Sequence, residues 1–84
     1  MQYPIVIHKD EGSDYGITVP DLPGCFSAGE TMNEALTMVE EAVELHLEGL
    51  MEEGMEIPDP TPIEQLKQNA NYVGGQWAFV DVLL

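Results

Sequence analysis

The sequence predicts an α+β fold: a small antiparallel sheet with one long helix packed on one face, in the chain order β-β-β-α-β. Three observations carry this. Thr31 to Gly54 has the 3.6-residue apolar periodicity of an amphipathic helix. Short stretches before it alternate apolar and polar residues at period two, as half-buried strands do. The last eight residues, WAFVDVLL, are apolar on both faces except for Asp81. At 84 residues the chain makes one domain. A domain of this size buries only about 60–65% of its unfolded surface, so its core is thin.

The helix is expected over residues 32–53. Thr31 and Glu34 have capping-box spacing, and Gly54 fits the left-handed position just past the last turn. Met32, Ala35, Leu36, Val39, Ala42, Val43, Leu47 and Leu50 share one face. Glu34, Thr37, Glu41, Glu44, Glu48 and Glu52 take the opposite one. Met38, Ala42, Leu45 and Gly49 form a second, minor apolar stripe. Two readings of it stand open: a flank of the core, or a contact with another chain.

Strands are expected over residues 3–9, 15–20, 25–28 and 77–84. In the first, Tyr3, Ile5 and Ile7 alternate with Pro4, Val6 and His8. Pro4 donates no ladder bond, which places this strand end at a sheet edge. Residues 10–14, DEGSD, form a turn, so the first two strands make a hairpin. PDLPG, residues 20–24, stops the second strand, because each proline restricts the residue before it. Met55 to Thr61 carries prolines enough to forbid regular structure, and Pro62 to Gln68 reads as a short helix with Thr61 as its cap. The final run is expected inside the sheet or under a second subunit. The chain stops within that run, which fits either a short protein or the first part of a longer one.

Charge sets the functional frame. Sixteen acids face two lysines, Lys9 and Lys67, for a formal charge of -14. Nucleic-acid binding rests on cationic side chains neutralising phosphates, so direct contact of this segment with DNA or RNA is excluded, and an anionic membrane surface is disfavoured. A basic protein partner is favoured, and solubility alone is the plain alternative. Cys25 is the single cysteine, so no internal disulfide forms, in keeping with a reducing compartment. A cytoplasmic location is expected. The thin core and the edge strands favour self-association as a dimer or tetramer.

The segments Tyr15-Gly16, Val19-Pro20-Asp21-Leu22-Pro23-Gly24-Cys25, Gly29-Glu30-Thr31, Glu34-Ala35, Leu47-Glu48-Gly49-Leu50 and Ile57-Pro58 together resemble the HicB family of antitoxins. The likeness extends more loosely to the run from Trp77 to Val82. It implies a partial ribonuclease-H-like fold. It also implies a non-catalytic protein that binds and blocks a HicA-type toxin, a small basic ribonuclease that cleaves mRNA. Many members add a C-terminal DNA-binding domain that represses their own operon. No such domain is expected within these 84 residues, and the first part of a repressor is one alternative reading.

A metal-dependent nuclease on the same fold is the other. It needs a carboxylate cluster with a leading acid in the first strand, and residues 1–9 hold no acid. The spacing of Cys25, His8 and His46 fits no zinc set. His46 reads as a packed side chain on the apolar helix face, and Cys25 lacks the nearby cation that would activate it. No catalytic, cofactor-binding or metal-binding residue is therefore assigned. The expected partner-binding residues are Asp21, Leu22 and Pro23 of the PDLP loop, and Asp10, Glu11 and Asp14 of the hairpin turn. Loops carry recognition disproportionately.

Overall fold

In the computed structural model, which describes residues 1–83, four strands form one antiparallel sheet. They are β1 (Gln2–Lys9), β2 (Tyr15–Thr18), β3 (Phe26–Gly29) and β4 (Gln76–Asp81), and their order across the sheet is β3-β2-β1-β4. The first three make the meander that short connections dictate. The apolar final strand pairs with β1 and lies at the sheet edge and not inside the sheet, which leaves cover by a second subunit as the other expectation for it.

Pro4 is correspondingly interior, and the register explains how. Met1 and Val82 exchange two backbone bonds of 2.9 Å, one in each direction. Bonded and non-bonded pairs alternate along an antiparallel ladder. Tyr3–Val80, Ile5–Ala78 and Ile7–Gln76 are then bonded pairs, whereas Pro4–Phe79 is not. The Pro4 nitrogen points away from β4, toward β2. There the ladder has ended at Val6–Thr18, and the next residue in register is Pro20. Two prolines meet where neither has an N–H to offer, so the missing donor costs the sheet nothing.

The helix α1 spans Met32–Glu52, about 32 Å at 1.5 Å per residue. The Thr31 hydroxyl accepts from the Glu34 N–H at 3.1 Å, which forms one half of the capping box. At the other end Gly54 takes φ 71°. Its N–H donates to Met51, and the Met55 N–H donates to Leu50 at 2.8 Å, the paired bonds of a Schellman motif. Ala35, Val39, Val43 and Leu47 are buried against Tyr3, Ile5, Ile17, Val80 and Val82 on the near face of the sheet. Met32, Leu36, Ala42 and Leu50 pack along the margins of this core.

The far face carries Pro4, Val6 and His8, the other half of the β1 alternation. The segment before β4 covers part of it: Gly75 lies against Val6 and His8. Tyr72 meets Trp77 edge-on, with ring centroids 5.7 Å apart. The short helix α2 is confined to Ile63–Leu66, with Pro62 ahead of it and no side-chain cap. Thr61 does not cap it as expected, because its hydroxyl is engaged by Asp21. A single 3-10 turn, Ala70–Tyr72, interrupts the expected loop.

Candidate partner-binding site

The two groups of expected contact residues lie at opposite ends of the β1–β2 hairpin. Six residues of extended chain separate Asp14 from Pro20, about 20 Å at roughly 3.3 Å each. The fold does not bring them into one site.

Asp10, Glu11 and Asp14 are all exposed in the turn. Gly12 takes φ 79°, and the Ser13 N–H donates to Asp10 at 3.0 Å, which holds the turn closed. The three carboxylates project into solvent around it.

The PDLP loop has a different construction. Leu22 is fully buried and plugs the core beside Val19 and Cys25. Three backbone bonds close the loop: Leu22 N–H to Val19 at 3.1 Å, Cys25 N–H to Leu22 at 2.9 Å, and Val19 N–H to Cys25 at 3.1 Å. Asp21 is half-buried, and its carboxylate accepts from the Thr61 N–H at 3.0 Å and from the Thr61 hydroxyl. Pro23 alone of the three is exposed. Asp21 thus ties the proline-rich segment to the sheet, and Leu22 anchors the loop inward.

A second tie lies beside the first. The Tyr3 hydroxyl donates to the Pro58 carbonyl at 2.6 Å. Burial pushes the Tyr3 pKa above its ordinary 10.0, and the negative charges of Asp21 and Asp59 add to the effect. The phenol therefore remains a donor throughout the physiological range. Burial likewise raises the Cys25 thiol, the opposite of what an attacking cysteine needs.

Two surfaces were not singled out from the sequence, or only in part. On α1, Glu34, Glu40, Glu41, Glu44, Glu48 and Glu52 are all exposed. Beside them Met38 and Leu45 are 47% and 68% exposed, whereas Ala42 and Gly49 of the same stripe are half-buried, Ala42 at the core margin. On the far face of the sheet, Phe26 and Phe79 are 68% and 55% exposed. Strand alternation places both aromatics on that face, but only the sheet order shows that they stand at its two edges.

Among the described residues the one ion pair joins the Met1 ammonium to Asp81 at 3.7 Å. The helix carboxylates have no internal cation to meet, and Lys9 lies over the Tyr15 ring, 5.4 Å from its centroid. No group of three or more His, Cys, Asp or Glu is placed to hold a metal ion among the described residues. No helix there is long and apolar enough to cross a membrane.

Residues 3–84 match the family described as HicB-like antitoxin of bacterial toxin-antitoxin system. The chain belongs to this family. Its fold is that of the N-terminal domain of the Burkholderia pseudomallei antitoxin HicB, with a TM-score of 0.87, 44% identity and full coverage of both chains. A chain of a HicA3 and HicB3 toxin-antitoxin complex superposes with a TM-score of 0.74 at 34% identity, covering 96% of each chain. An uncharacterized 14.9 kDa protein of Haemophilus phage HP1 is 44% identical over 82 residues, which are 98% of this chain and 61% of the phage protein. The chain thus spans less than two thirds of the length of that relative.

Proposed function

We propose that this domain is the toxin-binding part of a HicB-type antitoxin, and that it neutralises a small basic mRNA-cleaving toxin by occupying the toxin's RNA-binding surface. The observation that carries the reading is the run of exposed, internally unpaired carboxylates along α1, in a family of antitoxins. A protein of charge -14 is steered toward a cationic surface, and it presents carboxylates where that surface would otherwise meet phosphates. The exposed Met38 and Leu45 beside the acids supply apolar contact at the same face. The exposed turn acids Asp10, Glu11 and Asp14, with Pro23, form a second candidate contact. Asp21 and Leu22 act through loop structure. The domain performs no chemistry, needs no cofactor, and works in the cytoplasm, where the toxin's mRNA substrate lies.

The test is association with the basic protein encoded beside it. The pair should co-elute at about 0.1 M salt and weaken steeply toward 0.5 M, as charge steering is screened. Leu45→Ala and Glu41→Lys should each reduce affinity without lowering the melting temperature of the free domain. Absence of a complex at low salt would overturn the reading.

A further inference from the structure

A cleft opens between the C-terminal half of α1 and the chain that follows β4. Its volume is about 270 Å³, below the roughly 300–1,000 Å³ of sites that enclose a small molecule. It is sized for a single side chain. Leu47 and Val82 of the core line it, together with Met51 and Leu83, which are 52% and 94% exposed. These four offer hydrocarbon and one soft thioether. The remaining two lining residues, Glu44 and Glu48, are exposed acids. They stand one helical turn apart, on the side of α1 that also carries Leu47 and Met51, because residues three and four apart are neighbours on a helix.

An apolar cleft with a pair of carboxylates beside it complements a long aliphatic stem that ends in a cation. The pair of acids favours arginine over lysine. A guanidinium presents five N–H donors in one planar fork, reaches both carboxylates at once, and is more weakly hydrated than an ammonium. Nothing within the chain fills this role. Among the described residues neither Glu44 nor Glu48 is in an ion pair. The Met1 ammonium donates to the Val82 carbonyl at 2.9 Å, but Asp81, 3.7 Å away, already balances its charge. Lys9 is held over the Tyr15 ring.

We propose that this cleft takes one arginine side chain of the basic toxin, with its stem against Leu47 and Met51 and its guanidinium between Glu44 and Glu48. The proposal rests on the toxin reading and deepens it, by turning a diffuse attraction into one anchored contact. A second copy of the chain cannot supply the group, because the sequence contains no arginine. Arginines seated in desolvated pockets rank among the few residues that carry most of an interface's energy, whereas exposed charge pairs at its rim carry little. The carboxylates of α1 are therefore not equivalent, and those flanking the cleft dominate.

Calorimetric titration against the basic protein encoded beside this one, at one fixed salt concentration, tests the anchor. The double variant Glu44→Gln/Glu48→Gln should weaken binding roughly thirtyfold. Glu30→Gln/Glu34→Gln removes the same charge from the other end of the helix, about 15 Å from Glu44 at 1.5 Å per residue. It should weaken binding less than about fivefold. All four side chains are exposed, so both variants should keep the parent melting temperature. Met51→Ala should weaken the complex as well, since the stem loses part of its floor. When the partner's arginines are replaced by alanine one at a time, one replacement should cost little further in the Glu44→Gln/Glu48→Gln background. Lysine at that position should restore only part of the affinity. Equal losses for the two glutamine pairs, no arginine coupled to the cleft, or full rescue by lysine would overturn the anchor while the complex itself, and with it the toxin reading, still stands. Failure of the parent domain to bind at all would overturn both.

Discussion

Removing the Asp21 carboxylate should destabilise the domain before it affects any partner. Asp21 accepts two bonds from Thr61, one from the backbone and one from the hydroxyl. A hydrogen bond to a charged group contributes about 1.5–3 kcal/mol. Both bonds are only partly buried, so water competes for them, and the low end applies. Asp21→Ala should therefore cost about 3 kcal/mol in all. In a domain of this length each kcal/mol moves the melting temperature by about 4–8 °C, which gives a fall of roughly 12–24 °C. Thr61→Val keeps the backbone N–H and loses only the hydroxyl, at about 1.5 kcal/mol. Asp21→Asn should fall between the two. Circular-dichroism melts of the three variants at neutral pH give the series. A melting temperature for Asp21→Ala within a degree or two of the parent would refute the tether. Loss of toxin affinity in Asp21→Asn with unchanged stability would instead make the residue a direct contact.

Alkaline titration should lower stability in two stages. Both raised groups hold their protons longer in the folded state, so their contribution is complete below the unfolded pKa values. It is lost as pH rises past about 9 for Cys25 and about 10 for Tyr3 toward the higher folded values. A thermal melt series from pH 8 to 11 should show this decline, and Cys25→Ala should remove its first stage. Leu47→Ala should cost about 2–5 kcal/mol in urea denaturation, because the side chain is fully buried, whereas Leu45→Ala two residues earlier should stay within about 0.5 kcal/mol. Gly29→Ala should impair folding, since a Cβ there would stand 2.6 Å from the Ala35 nitrogen, in the backbone of α1. Expression yield and melting temperature read that outcome.

The parts of the fold legible in the sequence are those settled within a few residues. The Thr31 cap, the Gly54 stop and the apolar periodicity of α1 are local, and the helix ends within one residue of its expected bounds. The β1–β2 hairpin follows from DEGSD, since turn chemistry needs no distant partner. What escaped depends on register. Whether Pro4 harms a central strand is decided by which way its nitrogen points, and that is fixed by pairing with residues more than seventy positions away. The apolar run of β4 resembles a buried strand, yet its place beside β1 leaves one edge open.

The candidate site divides along the same line. Asp10, Glu11 and Asp14 lie exposed in the turn that the composition of DEGSD predicts. Asp21 and Leu22 share a loop with Pro23, but one is spoken for by Thr61, forty residues on, and the other faces the core. No local pattern distinguishes those three neighbours. The stripe of Met38, Ala42, Leu45 and Gly49 is visible as a pattern, and only the packed sheet divides it: Ala42 flanks the core, and Met38 and Leu45 face outward.

The central claim is that an acidic α/β surface blocks a cationic ribonuclease without chemistry of its own. A titration of the purified neighbouring toxin's RNA cleavage with this domain tests it most directly. Cleavage should fall in proportion to added domain and vanish near equimolar ratio, with the domain alone leaving the RNA intact in the presence of Mg²⁺ or Mn²⁺. Undiminished cleavage at a severalfold excess of the domain, or cutting by the domain by itself, would contradict it.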